Sequence, residues 1–243
     1  MIEQQIAIPT KDGHTATFIA HPERGGPFPV ILFYMDAPAI REELRDMARR
    51  FATSGYYVML PNLYYRSGAM ELGALPADPN APERKRMFAL MASINIPMIM
   101  DDTRALLTYA EGQTAANTKI VGTVGYCMSG RYAVNAATHL ADRVKAAASI
   151  YGTHLATDED NSPHLAAGKT KAELYFACAE TDIYAPTEII EKVKQGMKGA
   201  NAEVEIYPGT HHGFAFPKRP VYDRDAAERH WERLLALYRR NLV

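Results

Sequence analysis

The feature that most limits the fold is a repeated change of hydrophobic period, from continuous apolar runs to helical stripes and back. Residues 29–35 read PVILFYM, the pattern of a strand buried on both faces of a parallel sheet. Residues 41–52 carry Leu44, Met47, Ala48 and Phe51 at i, i+3, i+4 and i+7, one face of a helix. Gly55 ends that helix, and YYVMLP at 56–61 supplies the next strand. The alternation returns with KIVGTVGY at 119–126 as a strand and 128–140 as a helix rich in small residues. Then VKAAASIYG and AELYFACA read as strands, 188–198 as a helix and AEVEIYPG as the last strand. This predicts the α/β class, with a mostly parallel central sheet and helices on both faces.

At the start, Ile6 and Ile8, then Thr15, Thr17 and Ile19, alternate as two strands around a Lys11-Asp12-Gly13 turn. At the end, a helix places Ala227, Trp231, Leu234, Leu235 and Tyr238 on one face, with Arg239 and Arg240 near its C-terminal dipole. No shift of composition marks a linker, so residues 1–243 are expected to form a single domain. The stretch 64–82, rich in Pro, Gly and Ala, reads as a long loop of the kind that covers a site.

Composition narrows the partners. Hydrophobic residues at 47% and charged residues at 23% exclude disorder as the main state. With 27 basic against 28 acidic side chains the net charge is -1, which offers no field for nucleic acid or an anionic membrane. No apolar run approaches the roughly 20 residues of a membrane-spanning helix. The opening MIEQQIAIPTKDG lacks a basic segment followed by an apolar one, so a cytoplasmic location is expected. Two cysteines make no disulfide framework, and each thiol needs its own account.

Cys127 stands in GYCMSG, where a strand ends and a helix begins at once. A reactive residue held on a sharp strand-to-helix turn needs small neighbours two positions away. Gly125 meets that need, and Ser129 stands where glycine is usual. The helix start also favours a thiolate. A cysteine in an arbitrary place is usually an inert core thiol, which is the reading for Cys178 at the end of an apolar strand. A thiol nucleophile needs a base, and the base an orienting group. Asp182 follows the strand AELYFACA, and His211 and His212 follow the last strand, so the order nucleophile, acid, histidine is present. All three are expected at the sheet edge where open α/β folds bind ligands.

GYCMSG, the Asp182 loop and HHGFAF together resemble the dienelactone hydrolase family of α/β-hydrolases. FYMDAPAIREELRDMARR and GYYVMLPNLYYR are similar to that family's third strand, first helix and fourth strand, and the resemblance runs from about Ile6 to Tyr238. It implies a triad of Cys127 as nucleophile, Asp182 as acid and His212 as base, His212 being preferred to His211 because it directly precedes Gly213-Phe214. It implies that Asp36 stands where the family keeps a glutamate that holds the resting thiol; the plain alternative is a helix cap near Ile40. Backbone N–H groups of Ala37 and Met128 are the expected oxyanion hole.

One departure bears on substrate. The family's arginine four residues after the histidine is Phe216 here, which removes a planar carboxylate clamp. A less anionic or more apolar ester or lactone is therefore expected as the small-molecule substrate. Tyr64, Tyr65 and Phe216 are candidates to line its pocket, and Arg131 and Arg66 are candidate anion contacts. No metal and no cofactor are implied, since no histidines sit at a ligating helical spacing with a third ligand. Two other readings stay open: a non-catalytic binding protein that keeps the fold, and acyl transfer from the same cysteine to an acceptor other than water. Composition does not bear on oligomeric state.

Overall fold

A computed structural model describes residues 1–243 apart from Ala74 and Ala77. The chain divides into two compact units, Met1–Thr118 and Lys119–Val243. In the first, β1 (Ile2–Thr10) and β2 (Gly13–His21) form an antiparallel hairpin closed between Thr10 and Gly13. β3 (Phe28–Tyr34) leads through α1 (Glu42–Thr53) to β4 (Tyr57–Pro61), which lies parallel to β3 and antiparallel to β2. The α1 stripe is buried as its spacing predicts, through Leu44, Met47, Ala48 and Phe51.

Two helices of this unit are absent from the sequence reading: α2 (Pro82–Ala92) and α3 (Ile96–Glu111). Asn95 caps α3, its side chain accepting the Met98 N–H at 3.0 Å, and Pro97 sits in the first turn where its missing donor costs nothing. Residues 64–82 hold a 3-10 turn over Tyr65–Ser67 and a bridge between Glu71 and Ala39, and Pro82 already belongs to α2. The expected covering loop includes Ala74 and Ala77, which lie outside the described residues.

β5 (Ala116–Tyr126) begins just before the second unit and leads, within it, through a 3-10 turn over Cys127–Ser129 into α4 (Gly130–His139). β6 (Val144–Ile150), β7 (Glu173–Thr181), α5 (Thr187–Gly196), β8 (Ala202–His211) and α6 (Arg224–Leu242) follow. β5, β6, β7 and β8 are neighbours in that order and all parallel. The eight strands are thus mostly parallel, as the alternation predicts. Parallel neighbours place their C-terminal ends on one edge, which is where Cys127, Asp182 and His212 emerge.

α6 lies flat on β5, because a Cβ at Gly122 would come within 2.9 Å of Tyr238 and Leu242. Its buried face is Ala227, His230, Trp231, Leu234, Leu237, Tyr238 and Leu242. Leu235, expected on that face, is only partly buried, and Leu237 takes its place.

Candidate active site

Cys127 is buried and has φ 54°, left-handed backbone that a side-chain-bearing residue adopts at a cost of about 1–3 kcal/mol. Packing around the turn holds it there. A Cβ at Gly125 would lie 2.0 Å from the Ser129 carbonyl oxygen. At Gly130 it would lie 2.2 Å from Ser149 Oγ and 2.7 Å from Gly152 Cα. The Thr153 N–H donates to the Cys127 carbonyl at 3.0 Å, tying the segment after β6 to the turn. The small-residue requirement therefore falls on Gly125 and Gly130, while the Ser129 side chain is itself buried.

His212 Nδ1 lies 2.7 Å from Asp182 Oδ2 and donates to it, and Asp182 Oδ1 accepts the Tyr184 N–H at 2.8 Å. Both carboxylate oxygens are thus used and the ring orientation is set. His212 Nε2 is buried without a hydrogen-bond partner among the described residues, and Cys127 is near enough to act on the charge of the ring. Burial alone would lower the imidazolium pKa. Cys127 and Asp182 outweigh it, and His212 is pushed up to about 9. His211, by contrast, is exposed at the end of β8.

Two tyrosines bracket the imidazole. Tyr151 meets it edge-on at 5.1 Å between centroids and Tyr184 at 4.9 Å. Tyr151, at φ 35°, is buried against Phe214 and Tyr126. Phe216 is fully buried, 5.4 Å from Tyr126 and 6.0 Å from Tyr151, with the Arg219 guanidinium 4.9 Å over its ring. It supports the histidine loop from behind. His230, fully buried on α6, donates through Nδ1 to the Ala227 carbonyl and accepts from the Tyr126 hydroxyl at 3.0 Å. That bond anchors the residue just before Cys127.

Arg131 stacks on Tyr132 at 4.8 Å and donates to its hydroxyl at 2.7 Å. No carboxylate pairs with it among the described residues. Cys178 is a core thiol whose pKa burial pushes up to about 12. No group of three His, Cys, Asp or Glu side chains among the described residues is arranged to hold a metal.

The remaining predicted residues belong to the first unit. Asp36 is fully buried and receives Arg41 Nη1 at 2.6 Å and Nη2 at 3.2 Å. It does not cap α1, whose N-cap is Arg41 and has no side-chain cap. Burial works against the Arg41 charge, and Asp36 and Glu43 more than restore it. Ala37 offers its carbonyl to the Tyr64 hydroxyl at 3.1 Å, and Tyr64 is fully buried. Tyr65 is engaged by Asp102 at 2.9 Å and Thr10 at 2.7 Å. Arg66 is held by both oxygens of Asp102 and by Asp12, each at 2.8 Å, so its charge is already matched.

A strained strand-to-helix turn, followed by an acid and a histidine on successive strand ends of a parallel sheet, is the arrangement of the α/β-hydrolases. The family model of the dienelactone hydrolase family matches residues 15–242, and the chain belongs to that family. A relative in Methylorubrum extorquens named "Putative carboxymethylenebutenolidase" is 28% identical, over 98% of this chain and 81% of its own. One of the same name in Azospirillum brasilense is 30% identical over 98% of both chains. A Klebsiella pneumoniae crystal structure described as a "Putative Dienelactone Hydrolase" superposes with TM-score 0.87 over 98% of both chains, at 24% identity. Fold and family together define a hydrolase.

Proposed function

We propose that this hydrolase cleaves carboxylic esters or lactones by covalent catalysis through Cys127. The observation that carries the reading is the Asp182–His212 hydrogen bond, with Cys127 on its strained turn near enough to raise the imidazolium pKa. His212 Nε2 holds the proton of the Cys127 thiol while the sulfur attacks the carbonyl carbon. The oxyanion rests on the Met128 N–H at the start of the 3-10 turn. His212 returns the proton to the leaving oxygen as the C–O bond breaks, leaving a thioester. Water then attacks with His212 as base, the acid departs, and the thiol is restored.

The Tyr184 and Asp182 contacts orient the imidazole, with Nδ1 bound to the carboxylate and Nε2 left to handle the thiol proton. Phe216, buried where the family carries an arginine, supports an ester less anionic than dienelactone. A panel of aryl esters and simple lactones tests the reading. Turnover by the wild type that Cys127→Ala abolishes supports it. Turnover undiminished in Cys127→Ala contradicts it.

A further inference from the structure

We propose that Ile183 and Tyr184 form an apolar lip that receives the alcohol portion of the ester and selects for bulky apolar alcohols. The inference rests on the ester-hydrolase reading and names the side of the substrate that is selected. Ile183 is 83% exposed and Tyr184 45%. Away from the chain ends they are the one adjacent pair of large exposed apolar side chains among the described residues, since Phe88 and Leu165 stand singly. Single exposed apolar residues are ordinary, but here one of an adjacent pair, Tyr184, lies against the His212 ring.

Their placement is held on both sides. The Tyr184 N–H is bound to Asp182 Oδ1, and α5 begins at Thr187, directly after Pro186. Of the two rings that bracket His212, Tyr151 is core and Tyr184 meets solvent. The chemistry supplies the occupant. When the tetrahedral adduct collapses, the C–O bond electrons leave with the ester oxygen, and that oxygen takes the proton from His212 Nε2. The departing alcohol therefore lies against the imidazole, where Tyr184 is the ring that meets solvent and Ile183 its exposed neighbour in the chain. The acyl chain, bonded to sulfur, is under no such constraint. A fully buried methylene is worth about fourfold in binding, so four methylenes on an open lip should give about tenfold.

The test compares kcat/KM for phenyl acetate, 4-butylphenyl acetate and phenyl hexanoate. The two phenols are of similar acidity, so intrinsic reactivity largely cancels. The wild type should prefer 4-butylphenyl over phenyl acetate about tenfold. That ratio should fall at least about threefold in Ile183→Ser and in Tyr184→Ala, and return in Tyr184→Phe. The hexanoate-to-acetate ratio should be the same in all, and melting curves should confirm that each variant is folded. A butylphenyl-to-phenyl ratio near one in the wild type, or one unchanged in Ile183→Ser, overturns the lip while leaving ester hydrolysis standing. Absence of wild-type turnover of all three overturns the reading of the site, and the lip with it.

Discussion

Asp182 Oδ2 accepts the Nδ1 proton of His212 at 2.7 Å, across 30 residues of sequence and from one strand end to the next. The bond sets the ring orientation and leaves Nε2 as the nitrogen available to Cys127. Asp182→Asn keeps the shape and loses the charge, and its amide favours the opposite tautomer. Turnover should fall by about 10³–10⁴-fold with KM little changed. Steady-state kinetics on an aryl ester checks this.

The same contacts make stability depend on pH. His212 is raised from 6.5 to about 9 in the folded chain, so it binds a proton more tightly folded than unfolded. Its contribution is fully present below about 6.5 and is lost as pH rises through about 9. The size is on the order of 3 kcal/mol, since each unit is worth about 1.4 kcal/mol. Asp182→Asn should therefore destabilise more at pH 6 than at pH 10. Urea unfolding at the two pH values measures it, and equal losses would contradict the assignment.

The elbow tolerates no added carbon. A Cβ at Gly125 would sit 2.0 Å from a backbone oxygen, where no flexible side chain can give way. Gly125→Ala should cost about 3 kcal/mol, at the top of the range for overpacked cores. A thermal melt and the yield of soluble protein report it.

Much of this was legible in the sequence, for identifiable reasons. The Cys127 turn could be read because its requirement is local: glycine at a fixed spacing between a strand pattern and a helix pattern. Asp182 and His212 could be placed because each follows an apolar strand. α3 carries a regular stripe, Ile96, Ile99, Met100, Thr103, Leu106, Leu107 and Ala110, which a continued periodicity search would find. The bracketing of His212 by Tyr151 and Tyr184 could not be read, because it depends on how two loops from different strands meet. Nor could the Asp36–Arg41 pair, which depends on a turn through Ala39 at φ 68°.

That pair makes its own prediction. Arg41→Met leaves the fully buried Asp36 carboxylate without its guanidinium, the situation in which a broken buried pair costs about 3–5 kcal/mol. Asp36→Asn combined with Arg41→Met should recover part of that loss. Denaturant titration of the two single variants and the double variant separates the coupling from the individual losses.

The thiols should also part chemically. Cys178, pushed up to about 12 by burial, carries almost no thiolate near neutral pH, whereas Cys127 sits at a helix start beside His212. Brief iodoacetamide treatment of the folded chain at pH 7.5, followed by peptide mass analysis, should label Cys127 well before Cys178.

In this mechanism an acyl group passes through the Cys127 sulfur. Acid quenching during turnover of 4-nitrophenyl hexanoate, followed by peptide mass analysis, tests it most directly. A hexanoyl group is expected on the peptide containing Cys127, lost on treatment with neutral hydroxylamine and absent from His212→Ala. Acylation of another residue, or sustained turnover by Cys127→Ala, would contradict it.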